Sequence, residues 1–267
     1  MNIRHHSLKA AASLVRPFVR KPSIQQVLFN GIRLQREELS DILNERDLKF
    51  LAYCVARREW SKSQILQDLW VCFELGEKTN GYFVEFGATN GLVNSNTWLL
   101  EKKLGWRGIL AEPNPVWHAD LSANREAHIE TLCVYSKSGE TVEFLNTDES
   151  DPELSSIATY SEDDHFAQTR QKGDRISIET ISLTDLLAKY DAPERIDYMS
   201  VDTEGSELDI LNAFDFSRYT FELLSVEVNP KTESDIQKLL EGQGYKRVFP
   251  GFSQWDAWFR KEEQGRR

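Results

Sequence analysis

Beyond Gly81, the chain alternates short apolar segments of strand length with amphipathic segments of helix length. The apolar segments predict strands at residues 82–87, 108–113, 130–135, 141–145, 176–181, 198–201, 223–228, 246–249 and 257–260. The amphipathic segments predict helices at residues 96–104, 117–125, 183–190, 207–214 and 235–241. Because strands that alternate with helices form βαβ units, we predict an α/β fold with a doubly wound, mainly parallel sheet. The last two strands have no helix between them and should form an antiparallel hairpin around Pro250 and Gly251.

The segment before this alternating pattern has a different character. Apolar residues among charges between Glu37 and Leu75 predict a helical extension. Apolar residues also fall at helical spacing between Leu8 and Val19, which favours a surface helix or tail, a membrane-surface helix or a transit peptide. Pro17 would kink such a helix and weakens the membrane interpretation. The predicted domains are a basic tail at 1–36, a helical extension at 37–76, the sheet domain at 77–262 and a short tail at 263–267.

The distribution of charge argues against nucleic acid as a partner. The chain carries a net charge of −11, yet its first acidic residue is Glu37, and the 36 residues before it contain seven Lys and Arg. The remainder therefore carries −18, which repels phosphate backbones and is compatible with a cationic ligand. The three cysteines form no C-x-x-C pair, and no run of 18 apolar residues occurs. With no secretory leader visible, we expect a cytoplasmic protein.

The most informative motif is Glu85-Phe-Gly87-Ala88-Thr-Asn90-Gly91, where a predicted strand leads into a helix. Its glycines permit a tight turn and a close approach of the backbone to a ligand. Glu85, at the strand tip, can pair with a ligand ammonium group. About twenty residues further on, Glu112 can accept hydrogen bonds from both hydroxyls of an adenosine ribose. Pro113 and Asn114 end the same strand, and together these residues predict a cofactor that contains adenosine.

Three observations favour S-adenosylmethionine over a nicotinamide dinucleotide. The turn has the form G-x-x-x-G and lacks the G-x-G-x-x-G pattern that holds a pyrophosphate. The chain has no Y-x-x-x-K pair, which short-chain dehydrogenases use in catalysis. Glu85 would repel a pyrophosphate but attract the amino group of a methionine moiety. A nicotinamide oxidoreductase and a cofactor-binding protein without turnover are the two alternatives.

Carboxylates at another predicted strand tip are candidates for catalysis. The strand at 198–201 ends in Asp202-Thr-Glu204-Gly205, before a helix. Asp202 or Glu204 could take a proton from a hydroxyl that attacks a methyl group, or the segment could only cap the helix. With Glu227, these two carboxylates could also hold Mg²⁺, although we expect no metal. His165, in a polar segment at 147–174, is a weaker candidate base.

Four motifs together resemble the FkbM-type S-adenosylmethionine-dependent methyltransferases, in the order of that family. They are Ser63–Trp70, Tyr82–Lys102 with Trp106–Pro115, Arg195–Leu211 and Asp256–Arg260. The resemblance covers residues 60–261 and implies a Rossmann-like class I methyltransferase fold with S-adenosyl-L-methionine as cofactor. By position, it implies a cofactor site lined by Gln67, Asp68, Glu85, Gly87, Ala88, Asn90, Gly91, Glu112, Pro113 and Asn114. Leu154–Ile157 matches the family's L-S-S segment, whose polar groups are expected to face the substrate.

The resemblance also implies O-methylation of sugars, polyketides or related small molecules. The chain has no N-P-P-Y or D-P-P-Y motif, which argues against an amide or nucleobase nitrogen as acceptor. We therefore expect a small-molecule or carbohydrate hydroxyl as acceptor and no nucleic acid. A peripheral membrane contact through the basic N-terminus stays open.

Overall fold

The computed structural model describes residues 45–146, 156–157 and 174–262. The chain divides into two compact units, Met1–Val55 and Ala56–Arg267. The basic tail at 1–36 and the last five residues lie outside the described ranges, and the predicted domain limits stay predictions. Within the described ranges, no helix is long and apolar enough to cross a membrane.

The described helices and strands are labelled in chain order. The helices are α1 (Glu45–Arg57), α2 (Gln67–Glu74), α3 (Trp98–Leu104), α4 (His118–Asn124), α5 (Leu183–Lys189), α6 (Glu207–Ala213) and α7 (Glu233–Gly242). The strands are β1 (Tyr82–Phe86), β2 (Arg107–Ala111), β3 (His128–Glu130), β4 (Cys133–Tyr135), β5 (Thr141–Asn146), β6 (Ser156–Ile157), β7 (Asp174–Ser182), β8 (Arg195–Val201), β9 (Thr220–Glu227), β10 (Tyr245–Val248) and β11 (Asp256–Lys261). A short 3₁₀ helix, Pro115–Trp117, precedes α4.

Seven of the described strands form the main sheet, in the order β10-β11-β9-β8-β1-β2-β3. Strand β1 pairs in parallel with β2 on one side and with β8 on the other, and β9 continues parallel beyond β8. All five residues of β1 are buried, as expected for a parallel strand covered on both faces. The chain order reverses between β1 and β8, which is where such sheets bind ligands at their carboxyl edge. The predicted doubly wound, mainly parallel sheet is confirmed.

The edge of the main sheet ends in the predicted antiparallel hairpin. Strand β10 pairs antiparallel with β11, and β11 pairs antiparallel with β9. In the connection, Phe249 has a φ of 50° and its main-chain oxygen accepts the N–H of Phe252 at 2.9 Å. Pro250 and Gly251 lie inside this turn, so both the strands and their connection were predicted correctly.

A second sheet, which the sequence did not predict as a separate layer, contains β4, β7, β5 and β6. The single strand predicted at 130–135 is wrong, because β3 ends at Glu130 in the main sheet and β4 begins at Cys133 in the second one. The Glu130 carboxylate accepts the N–H groups of Thr131 at 3.0 Å and Leu132 at 3.1 Å, which takes these donors out of a strand ladder. The predicted strands at 141–145 and 176–181 are confirmed as β5 and β7, and most of the polar segment 147–174 lies outside the described residues.

The helical extension predicted at 37–75 is interrupted. Helix α1 ends at Arg57 and α2 begins only at Gln67. Leu66, just before α2, has a left-handed backbone with a φ of 67°, which no α-helix can continue through. Residues 37–44 lie outside the described ranges.

Candidate active site

The turn between β1 and α3 packs against the end of β8. Gly87 and Gly91 both have left-handed backbones, with φ of 69° and 71°. A Cβ atom on Gly87 would lie less than 3.0 Å from the main-chain oxygen of Asp202, a separation that real Cβ atoms essentially never show. On the other side, the Gly87 N–H donates to the Ala111 oxygen at 3.1 Å. The turn is therefore held between β2 and β8, with Gly87 beside the candidate base Asp202.

Asn90 and Ala88 shape this turn from within. The Asn90 Oδ1 atom accepts the N–H groups of Leu92 at 3.0 Å and Val93 at 2.9 Å. Its main-chain oxygen accepts a hydrogen bond from the side chain of Asn124 at 2.8 Å. Ala88 is buried and its N–H donates to the end of β2. Both residues thus stabilise the turn, and their contact with a cofactor stays a prediction.

Glu85 is buried and already engaged by protein groups. Its carboxylate accepts the Ser95 hydroxyl at 3.1 Å, the Asn96 N–H at 2.7 Å and the Thr97 hydroxyl. The guanidinium of Arg125 lies 3.6 Å from the same carboxylate. The sequence suggested a carboxylate able to meet a ligand ammonium group. The structure instead places Glu85 where it ties the segment after the turn to β1, and its contact with a ligand is untested.

Glu112 lies at the end of β2, opposite the turn. One carboxylate oxygen accepts the Thr89 N–H at 2.8 Å and the other accepts the Asn114 N–H, also at 2.8 Å. Burial raises the pKa of Glu112 to about 7, although these two hydrogen bonds oppose the rise. Each carboxylate oxygen has a further lone pair, so Glu112 can still accept ligand hydroxyls. Pro113 is half-buried, and the buried Asn114 side chain accepts the Val116 N–H at 3.1 Å.

Gln67 and Asp68 lie at the start of α2, with their polar groups turned to protein partners. The Gln67 amide donates to the buried carboxylate of Asp256 at 3.0 Å. Asp68 is fully buried, and its carboxylate accepts hydrogen bonds from the segment before α2. Its N–H donates to the Ser63 hydroxyl, which in turn donates to the main-chain oxygen of Ser95. This segment therefore supports the loop after the glycine turn, and a direct contact of Gln67 or Asp68 with a cofactor is untested.

Among the described residues, three carboxylates converge at the carboxyl ends of β8 and β9. One oxygen each of Asp202, Glu204 and Glu227 lies within 4.8 Å of the others. Asp202 is exposed and the other two are half-buried, so the cluster is open to solvent. The sequence allows this juxtaposition as one of two interpretations of these carboxylates. The three oxygens are close enough to coordinate one divalent cation.

Asp202 has a carboxyl group suited to accept a proton near neutral pH. The surrounding protein desolvates it and raises its pKa to about 7, and the charges of Asp256 and Glu207 add to the rise. Desolvation and the charge of Asp202 raise the pKa of Glu227 well above its usual range. Because oxygens of the two carboxyl groups lie within 4.8 Å of each other, the charge of one disfavours ionisation of the other.

Two residues that organise the site were not predicted from the sequence. Glu207 is buried, and its carboxylate accepts the N–H groups of Thr203 at 2.9 Å and Gly205 at 3.0 Å. Glu207 thus holds the segment between β8 and α6, and its position in the first turn of α6 was the available signal. Arg125 is the second residue. Nothing in the sequence distinguishes it, because its partners lie on other elements.

Solved structures of several methyltransferases resemble this chain at low identity. A precorrin-6y C5,15-methyltransferase from Geobacter metallireducens is 11% identical with a TM-score of 0.35, over 76% of this chain and 92% of that chain. A TehB-like SAM-dependent methyltransferase from Corynebacterium glutamicum is 9% identical with a TM-score of 0.37, over 80% and 99%. A human methyltransferase 10 domain containing protein is 12% identical with a TM-score of 0.35, over 80% and 96%. No curated protein matches the chain.

A family model gives the assignment. The model described as a methyltransferase FkbM domain matches residues 85–267, more than two thirds of the chain. The matched range contains the glycine turn, Glu112 and the three-carboxylate cluster. The sheet that carries them has the Rossmann-like fold of class I methyltransferases. The chain belongs to the FkbM methyltransferase domain family.

Proposed function

We propose that this protein uses S-adenosyl-L-methionine to methylate a hydroxyl oxygen of a sugar or another small molecule. The observation that carries the proposal is the contact between Gly87 and Asp202, at the point where the chain order reverses between β1 and β8. This contact sets the turn expected to hold the cofactor against the main chain of Asp202, whose carboxyl pKa is raised to about 7 by burial. The bound cofactor would supply a methyl group activated by its sulfonium centre.

The residues at the carboxyl edge fit an adenosyl ligand. Glu112 retains lone pairs for two ribose hydroxyls, with Pro113 and Asn114 beside it. Asn96 donates to the hydroxyl of Ser200, while its buried Oδ1 atom has no hydrogen-bond partner within the described part of the chain. Buried polar atoms of this kind usually have a partner, so an acceptor is available here to a ligand or to water.

The charge of the site supports a cationic cofactor. Six carboxyl groups influence one another at this edge, and they belong to Glu85, Asp202, Glu204, Glu207, Glu227 and Asp256. A site of this charge attracts a sulfonium or an ammonium group and repels a pyrophosphate or a nucleic-acid backbone. It therefore favours S-adenosylmethionine over the nicotinamide alternative, and a neutral acceptor over a nucleic acid.

Asp202 is the proposed general base. As the acceptor oxygen bonds to the methyl carbon and the methyl–sulfur bond breaks, Asp202 takes the hydroxyl proton, and S-adenosylhomocysteine is the second product. Such a base contributes roughly 10²–10⁴-fold to the rate, and alignment of the reacting groups contributes most of the remainder. Glu204, held beside Asp202, would keep the base oriented, and Glu227 would share its proton.

A divalent cation held by Asp202, Glu204 and Glu227 is a second arrangement for the same reaction. The convergence of the three oxygens within 4.8 Å favours it. A cation there would acidify the acceptor hydroxyl in place of a general base. Transfer that survives extensive treatment with EDTA supports the general-base arrangement, and transfer lost to EDTA and restored by Mg²⁺ supports the metal.

The proposal is tested by methyl transfer to defined acceptors. The full chain is incubated with S-adenosylmethionine labelled at its methyl group and with a panel of sugars and other hydroxylated small molecules. A labelled methyl ether formed in equal amount to S-adenosylhomocysteine is the expected result. Label found only on nitrogen atoms of the panel compounds contradicts the proposed acceptor. Tight cofactor binding with no transfer to any acceptor supports the alternative of a protein without turnover.

A further inference from the structure

Arg125, directly after α4, has a fully buried side chain close to the glycine turn. Its Nε atom donates to Glu101 at 2.9 Å, and Nη2 donates to the Thr97 hydroxyl at 2.8 Å. Nη1 donates to the main-chain oxygen of Gly91 at 3.2 Å and to the Ser95 hydroxyl at 3.0 Å. A single side chain thus joins the end of the turn, the loop after it and α3.

The positive charge of Arg125 compensates the negative charges of the carboxylates around it. Its guanidinium lies between the carboxylates of Glu101, at 2.9 Å, and Glu85, at 3.6 Å, and both carboxylates are buried. A buried charge is tolerated when it is paired and its hydrogen bonds are satisfied. Glu85 lies near the end of the buried strand that leads into the turn, so its charge must be compensated by a neighbour. Arg125 is the cation that the structure places there.

The shape of the turn also depends on this arginine. A Cβ atom on Gly91 would lie 2.6 Å from Cγ of Arg125, so the space beside Gly91 is filled by the arginine stem. The second glycine of the G-x-x-x-G pattern therefore admits Arg125, in addition to allowing a left-handed backbone. A side chain at position 91 would collide with the stem of Arg125 and with the side chain of Leu121, so at least one of them would have to shift.

We propose that Arg125 is a positioning residue, which holds the glycine turn in the shape that receives the cofactor by fixing Glu85 and the carbonyl of Gly91. The inference rests on the proposed use of S-adenosylmethionine. Arg125 itself is enclosed by protein groups and acts through the turn. Its loss changes cofactor affinity in protein that remains folded.

The test compares Arg125→Lys with Glu101→Gln. The lysine variant retains the charge but loses the planar set of donors that reaches Gly91, Ser95 and Thr97 at once. The control variant Glu101→Gln weakens the same buried ion pair from the side of α3 and leaves every contact of Arg125 with the turn in place. Thermal unfolding and S-adenosylmethionine calorimetry, performed well below each melting temperature, separate stability from affinity.

We expect Arg125→Lys to weaken cofactor binding about 10- to 100-fold, the effect of losing one or two charge-assisted hydrogen bonds. Glu101→Gln should lower the melting temperature while the dissociation constant stays within about twofold. Equal dissociation constants for wild type and Arg125→Lys overturn the inference. Equal weakening by both variants also overturns it, because the effect would then follow stability alone.

A second variant keeps the test decisive if Arg125→Lys does not fold. Thr97→Val preserves shape and all charges but removes the hydroxyl that joins Arg125 to Glu85. Weaker cofactor binding by folded Thr97→Val supports the inference, and unchanged binding overturns it. If the wild-type protein itself fails to bind S-adenosylmethionine, the proposed function fails first, and the two failures are thereby distinguished.

Discussion

Replacing Gly87 by alanine separates the glycine turn from Asp202. Gly87 has a φ of 69°, which costs an alanine about 1–2 kcal/mol. In addition, the new Cβ atom would lie under 3.0 Å from the Asp202 main-chain oxygen, whereas ordinary contacts begin at 3.4 Å. The turn and the end of β8 must therefore move apart, and a displacement of about 1 Å can cost a reaction about 10²-fold.

Gly139 offers a matched control for this experiment. It has a similar φ of 74°, but a Cβ atom there would meet nothing within 4 Å. Gly139→Ala should lower the melting temperature by about 2–4 °C for each kcal/mol lost from the free energy of unfolding. Cofactor affinity and methyl transfer should stay unchanged. Gly87→Ala should show the same backbone cost, with cofactor binding weakened and transfer slowed about 100-fold or more. If the two variants behave alike in calorimetry and in the transfer assay, the contact between Gly87 and Asp202 does not matter for function.

Two further predictions concern ionisable groups. Asp202→Asn should keep cofactor affinity within about threefold and slow methyl transfer by roughly 10²–10⁴-fold. The wild-type transfer rate should increase as the pH rises through about 7, and the variant should lack this increase. An unchanged transfer rate would exclude Asp202 as the base. Burial raises the pKa of Glu112 from 4.5 to about 7, so the folded protein binds this proton more tightly than the unfolded chain does. The contribution of Glu112 to the free energy of unfolding should therefore fall as the pH rises from 4.5 to about 7 and stay constant above that pH. Denaturant titrations at several pH values should show this fall for the wild type and not for Glu112→Gln.

Much of the fold could be predicted because the sheet is parallel. Strands buried on both faces, such as Tyr82–Phe86 and Arg195–Val201, form distinct apolar runs, and the order of elements then limits the topology. The break at Glu130 could not be predicted in this way. It depends on a side chain that binds two main-chain N–H groups, whereas the apolar pattern continues through it.

The candidate site, like the fold, could be predicted from the sequence only in part. The positions of Gly87, Glu112 and Asp202 follow from strand order, since each lies at the carboxyl edge of the sheet. Tertiary contacts decide which of the charges are compensated by a neighbour. The sequence therefore could not show that Arg125 forms an ion pair with Glu85. Glu207 binds two main-chain N–H groups of the segment after β8, and Asp202 in that segment is an exposed carboxylate.

Calorimetry of the purified full chain with S-adenosylmethionine, S-adenosylhomocysteine and NAD tests the central claim most directly. The account predicts micromolar binding of both S-adenosyl ligands and none of NAD. It also predicts binding weakened about 5- to 150-fold in Glu112→Ala, which removes the acceptor for the ribose hydroxyls. A folded sample that binds neither S-adenosyl ligand, or that binds NAD instead, would contradict the account.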